Sequence, residues 1–292
     1  MSIGPQLSAQ RPFPGLRPFG FDDREFFFGR EDQVYSLYRL LDLSRFIAVI
    51  GSSGSGKSSL VRAGLLPLIQ DETEEAGGRN WRSVTFHPGD APLAELADAL
   101  TELASAGAGD EGDREIRHDR ISHALKRSSF GLSEALDEIP GLEGTSLLIV
   151  VDQFEELFRF AGPSAASGSE HVNDALWRDE AAQFVQLILE ISRDRARSVH
   201  VMITMRSDFI GDCARFHGLP EAVSAAQFLV PSLTRDQRED VIRKPVEKAG
   251  ATVEPALVER LLNDVSDELD QLPVLQHCLL RIWDRAAADV RP

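Results

Sequence analysis

"RFIAVIGSSGSGKSS", Arg45 to Ser59, limits the fold more than any other stretch of the chain. An apolar run without polar alternation ends at Gly51, as in a strand buried on both faces. The loop that follows fits G-x-x-x-x-G-K-[ST] and leads into a helical pattern reaching about Ile69. Gly51, Gly54 and Gly56 let the backbone curl until its N–H groups face a phosphate. The helix N-terminus adds partial positive charge. Lys57 then reaches the β- and γ-phosphates, and the Ser58 hydroxyl suits Mg²⁺. The expected nucleotide contacts are Gly51, Ser52, Ser53, Gly54, Ser55, Gly56, Lys57, Ser58 and Ser59. A random chain of this length would show the pattern on the order of 1% of the time, so chance is a poor explanation.

Other apolar runs fit the same plan. "WRSVTFHP", "TSLLIVVD" (145–152) and "SVHVMITM" (198–205) read as strands, and "AQFLVPSL" (226–233) as a weaker one. Helical spacing is expected near 31–42, 91–105, 113–127, 132–138 and 174–193. Polar loops are expected at 71–80, 106–113 and 161–171. Strands alternating with helices imply an α/β fold, a central parallel sheet covered on both faces in a three-layer sandwich. From Thr234 onward only helical patterns remain. The division expected is an extended arm at 1–20, a P-loop core at 21–233 and an all-α lid subdomain at 234–292.

The chain has 292 residues and a formal net charge of -16. Clustered Lys and Arg, which phosphate backbones require, are missing, so direct nucleic-acid binding is not expected. The lysines are Lys57, Lys126, Lys244 and Lys248. Cys213 and Cys278 make no disulfide framework and no zinc spacing. No apolar run reaches the ~20 residues of a membrane helix, and the start of the chain does not resemble a signal peptide. The expectation is a soluble, cytoplasmic protein whose metal arrives with the nucleotide.

"VDQFEELF", 151–158, ends a buried strand in Asp152, placed to hold Mg²⁺ through water. Hydrolysis also needs a group to orient or deprotonate water. Gln153, next in the chain, is no base. Glu155 and Glu156 can swing back over the phosphate if the chain turns sharply after the strand. Equally, both suit the first turn of a following helix. Arg206, ending "ITMR", can stabilise transition-state charge or pair with Asp208 or Asp212. Gly29 and Arg30 in "FFFGRED" belong to an adenine pocket or to a hydrophobic staple. Pro273 in "LDQLPVLQHCLLRIW" packs on a base or simply starts a helix.

Taken together, "PFPGLRPFGFDDREFFFGRE", "VIGSSGSGKSSLVRAGLLP", "LLIVVDQFEELF", "ITMRSDF" and "LPVLQHCLLRIW" resemble the STAND class of P-loop NTPases, type one of its novel families. The resemblance runs from about Pro12 to Trp283. It implies an additional-strand (ASCE-type) sheet with the P-loop strand central, and ATP or ADP with Mg²⁺ at Lys57, Ser58 and Asp152. It implies paired acids three and four residues after the metal Asp, a spacing that Glu155 and Glu156 match. Arg206 resembles the sensor arginine, Pro273 the lid proline against adenine, and Gly29–Arg30 part of the pocket. The implied role is a slowly hydrolysing, nucleotide-dependent switch in signal transduction or defence, self-associating on ATP binding. A turnover ATPase (an AAA+-like motor or a kinase) and a scaffold with negligible hydrolysis are the alternatives. STAND proteins usually continue into a winged helix and sensor repeats, and an effector can precede the NTPase. The chain is therefore expected to be a fragment or a minimal form.

Overall fold

The computed structural model describes residues 11–75, 77–105, 111–160, 171–264 and 271–290. A 3₁₀ turn at Phe21–Phe26 precedes α1 (Glu31–Leu43), β1 (Phe46–Gly51) and α2 (Lys57–Ser59). The helix continues as a π-helical stretch, Leu60–Leu65, into α3 (Leu66–Glu74). Then come β2 (Trp81–Phe86), α4 (Pro92–Ser105), α5 (Glu111–Arg127), α6 (Gly131–Asp137), β3 (Ser146–Val151), α7 (Glu156–Phe160) and α8 (His171–Arg193). β4 (Val199–Arg206) runs into a 3₁₀ segment, Ser207–Arg215. α9 (Leu219–Ala225), β5 (Gln227–Leu229), α10 (Arg235–Lys248), α11 (Pro255–Asp264) and α12 (Gln271–Val290) complete the order.

Contacts group the chain into two units. The larger comprises Leu40–Ile50 and Gln70–Phe228. Its sheet is parallel and flanked by helices, in the order β2-β3-β4-β1-β5. This is the α/β arrangement expected from the alternation, with an added strand, β4, between the P-loop strand and the Asp strand. Every residue of β1 and β3 is buried, as their unbroken apolar runs require. β2, at the edge, mixes buried residues (Trp81, Val84, Phe86) with more exposed ones. Ile149 stands in register with Val84 on one side and Val201 on the other. α8 lays Ala181, Phe184, Val185, Ile188 and Ile191 on this core at helical spacing. Phe184 meets Phe86 edge-on at 6.1 Å.

The smaller unit contains the described residues up to Arg39, Gly51–Ile69, and those from Leu229 on. Its core joins Ile242 and Val246 of α10, Val258 and Leu262 of α11, and Leu275, Leu279 and Trp283 of α12. α10 begins with a reciprocal cap: Thr234 Oγ1 accepts from the Gln237 amide, and the Gln237 side chain accepts from the Thr234 amide. The arm at 11–20 has no regular structure, yet it is anchored. Phe13 is buried in the helical cluster, edge-on to Trp283 at 6.5 Å, and Phe19 is buried as well.

Three local expectations differ. The polar stretch from Asp71 stays helical to Glu74, because its polar side chains have fixed partners. Trp81 donates its indole N–H to Glu72 at 2.9 Å and its amide to Thr73 at 2.9 Å. The short helices at 21–26, 156–160, 207–215 and 219–225 carry too little periodicity to be read from sequence. Of the loop expected at 161–171, residues 161–170 lie outside the described residues and His171 opens α8.

Candidate nucleotide site

In the smaller unit the Gly-rich loop leaves the end of β1 and closes into α2. Gly54 and Gly56 have φ of 65° and 89°, a left-handed backbone that side chains disfavour. Lys57 Nζ turns back on the loop and donates to the carbonyls of Gly51 (3.1 Å) and Ser52 (2.7 Å). At Gly51 the space is tight, since an added Cβ would stand 2.6 Å from Ser55 Oγ and 3.4 Å from Val230 Cβ. Ser52, Ser53 and Ser58 are half-buried. Ser59 is buried and accepts the Phe19 amide at 3.1 Å, which ties the arm to the start of the helix.

Arg30 comes to the same loop. It is 4% exposed, and its guanidinium donates to the carbonyls of Ser55 (3.1 Å) and Pro231 (2.7 Å). Burial pushes its pKa down to about 10, so it stays cationic at neutral pH beside the loop. Gly29, φ 79°, lies under α10, where a Cβ would meet the Gln237 carbonyl oxygen at 2.7 Å. Pro273 is half-buried in the first turn of α12. Its neighbour Leu272 faces the loop: a Cβ on Gly56 would lie 3.5 Å from Leu272 Cδ2. Nothing in the helical spacing of Leu272 sets it apart from core leucines such as Leu275 and Leu279.

In the larger unit, the ends of β3 and β4 assemble the acidic half. Asp152 is buried, and its Oδ1 accepts from Thr204 Oγ1 at 2.5 Å and from the Gln153 amide at 3.2 Å. Gln153, φ 58°, is the only non-glycine residue with positive φ among those described. Its amide also donates to Thr204 Oγ1 at 3.0 Å, and the Phe154 amide to the Thr204 carbonyl at 2.9 Å. The chain therefore turns sharply straight after the strand, as the Asp–Glu spacing required. Glu155 comes back to the end of β4. It is buried, and its Oε2 lies 3.4 Å from the Arg206 amide. Glu156 opens α7 and points elsewhere, accepting the Gly89 amide at 3.1 Å. The Arg206 guanidinium pairs with Asp208 and lies 5.7 Å from the Phe209 ring. That pairing holds the Asp208 carboxyl below its usual range. Sequence reading missed Thr204, whose only signal is a hydroxyl in a buried, mostly apolar strand.

Taken separately, each unit has an oxygen donor of the kind a hard divalent ion takes: the Ser58 hydroxyl in the smaller, half-buried, and the Asp152 carboxylate, held by Thr204, in the larger. A lysine loop after one inner strand, and a buried Asp after the strand two places away, is the plan of the P-loop NTPases. Within that class the chain belongs to the family Novel STAND NTPase 1, whose model matches residues 12–291.

Solved structures are similar in fold. One is the Walker-type ATPase paby2304 of Pyrococcus abyssi, with 17% identity over 94% of this chain and 74% of that chain, TM-score 0.55. Another is the ORC2 protein of Aeropyrum pernix in its ADP form, with 10% identity, 98% and 71% coverage, TM-score 0.58. A third comes from the E. coli MS115-1 HORMA:CdnC:Trip13 complex, with 13% identity, 94% and 91% coverage, TM-score 0.52. At these identities the likeness is one of fold alone. No curated protein matches the chain. Among the described residues no helix is long and apolar enough to cross a membrane.

Proposed function

We propose that the chain binds ATP and ADP with Mg²⁺, hydrolyses ATP slowly, and acts as a nucleotide-dependent switch in signalling or defence. Lys57 and Arg30 supply positive charge, and the loop amides cradle phosphate. Ser58 and Asp152 hold Mg²⁺, which neutralises charge on the phosphates. The adenine lies by Gly29, Arg30 and Pro273, and Arg206 answers the γ-phosphate. Exchange of ADP for ATP favours self-association, driven by the difference in affinity of two conformations for the two nucleotides.

The observation that carries this reading is the left-handed turn at Gln153. It returns the buried Glu155 carboxylate to the end of β4 while Glu156 is turned to Gly89. This supports Glu155 as the general base, with Glu156 shaping the turn. In steady-state assays Glu155→Gln should lower ATP turnover by about 10²-fold or more, with Glu156→Gln within a few-fold of wild type. The reverse ranking, or no effect of either, removes Glu155 as base. Anion-exchange chromatography of nucleotide released from the denatured protein tests the switch. Stoichiometric ADP supports it, and an empty site with fast turnover overturns it.

A further inference from the structure

In the smaller unit the arm at 11–20 reaches two elements of the nucleotide site, α12 and α2. At one end Phe13, 1% exposed, shares the cluster of Leu275, Leu279 and Trp283 of α12. Gly15, φ 76°, turns the arm against the same helix: a Cβ there would stand 2.8 Å from Leu280 Cδ2. At the other end Phe19 is buried, packs on the Phe27 ring at 5.6 Å and donates its amide to Ser59 Oγ at 3.1 Å. Ser59 closes α2, directly after Lys57 and Ser58. Phe27 lies against the continuation of that helix, where a Cβ on Gly64 would stand 3.2 Å from its ring.

Between these anchors Leu16, Arg17 and Pro18 are exposed. The stretch has no regular secondary structure, so its stiffness has other sources. Pro12, Pro14 and Pro18 each fix φ near about −65°. Arg17 donates through both amino groups to the Asp23 carboxylate, which also accepts the Gly20 amide at 2.8 Å. Such a forked pair fixes geometry as well as charge. A segment with buried ends and a stiffened middle passes on a displacement instead of absorbing it. α12 also meets the loop directly, since Leu272 in its first turn lies over Gly56. The helix is thus joined to the nucleotide loop twice, by Leu272 and by way of the arm. Burying Phe13 alone would satisfy the helical cluster. The second anchor falls one residue after Ser58, the hydroxyl proposed above for Mg²⁺.

We propose that the arm is a strap that holds α12 on the nucleotide loop and slows the release of bound nucleoside diphosphate. The inference rests on the nucleotide reading above. With the strap cut, the first turn of α12 lifts from Gly56 more readily and the diphosphate leaves faster. The test follows release of methylanthraniloyl-ADP from the full chain, by stopped-flow chase with excess ADP. Ser59→Ala removes the hydrogen bond at one end, and Phe13→Ala removes the ring at the other. Each should speed release about fivefold or more, with the association rate within about twofold of wild type. Both cut the same strap, so the double variant should release no faster than the faster single one, whereas independent loosening of two places would multiply the effects. Should Phe13→Ala not fold, Arg17→Ala, at an exposed position, takes its place in the cycle. Unchanged release in the single variants, or multiplied rates in the double one, overturns the strap and leaves the nucleotide reading standing. No saturable binding of the labelled ADP by wild type overturns the nucleotide reading, and the strap with it.

Discussion

Thr204 is the residue on which the acidic half turns. A hydroxyl inside an apolar strand is worth its desolvation only when bonded, and here it bonds both Asp152 and the amide of the strained residue after it. A left-handed non-glycine residue costs about 1–2 kcal/mol, and these two bonds hold Gln153 there. A hydrogen bond to a charged group contributes ~1.5–3 kcal/mol. Thr204→Val, nearly isosteric, should therefore lower ATP turnover about tenfold or more, with a smaller change in KM, and Thr204→Ser should recover most of the loss. Equal turnover in wild type and Thr204→Val would show that Asp152 needs no such support. The Asp152–Glu155 spacing was readable from sequence because it is local. Thr204 was not, because its partner lies 52 positions away in the chain and only strand pairing brings them together.

At the scale of elements, the helix after the P-loop poses a contest between local preference and packing. Gly64 sits in its π-helical stretch, and a Cβ there would lie 2.4 Å from Val34 Cγ2 of α1 and 3.2 Å from Phe27 Cε1. Alanine is the better helix former by about 1 kcal/mol. Overpacking costs about 1–3 kcal/mol, and Val34 is β-branched and cannot easily rotate away. Packing should win. Gly64→Ala is expected to destabilise the smaller unit by about 1 kcal/mol or more in urea unfolding, and a stabilised variant would mean that α1 shifts freely. From sequence alone that glycine reads as a weak spot in a helix. The neighbouring helix reverses its meaning.

For the whole molecule, His200 predicts a dependence of stability on pH. Burial first, and then the Arg45 charge, push its folded pKa to about 4, below the ordinary 6.5. Above pH 6.5 the ring is neutral folded or unfolded, and the full stability is present. Between 6.5 and 4 only the unfolded chain takes the proton, so stability falls as pH falls. The loss approaches on the order of 3 kcal/mol near pH 4. Thermal melts from pH 7 to 4.5 should show a shallower slope for His200→Phe than for wild type. Parallel slopes would mean that His200 is protonated without cost in the folded state. The two basic side chains that bear on it, Arg45 and Arg79, come from the segments ahead of β1 and β2. The effect therefore depends on the assembled sheet edge.

The amino-acid sequence by itself determined the strand–loop–helix unit, the run of buried strands, the Asp at the end of one of them and the helical character beyond Thr234. All of these follow from local chemistry: apolar runs, glycine freedom, helical spacing. It also carried the family, through motifs whose wording is specific. Only the tertiary structure decided which acid faces the end of β4, that Arg30 is buried against the P-loop, that Arg206 pairs with Asp208, and that Thr204 steadies Asp152. It also decided that the start of the sheet gathers two arginines around a buried histidine. These depend on strand order and side-chain direction, which bring together residues far apart in the chain, and no local pattern encodes that proximity.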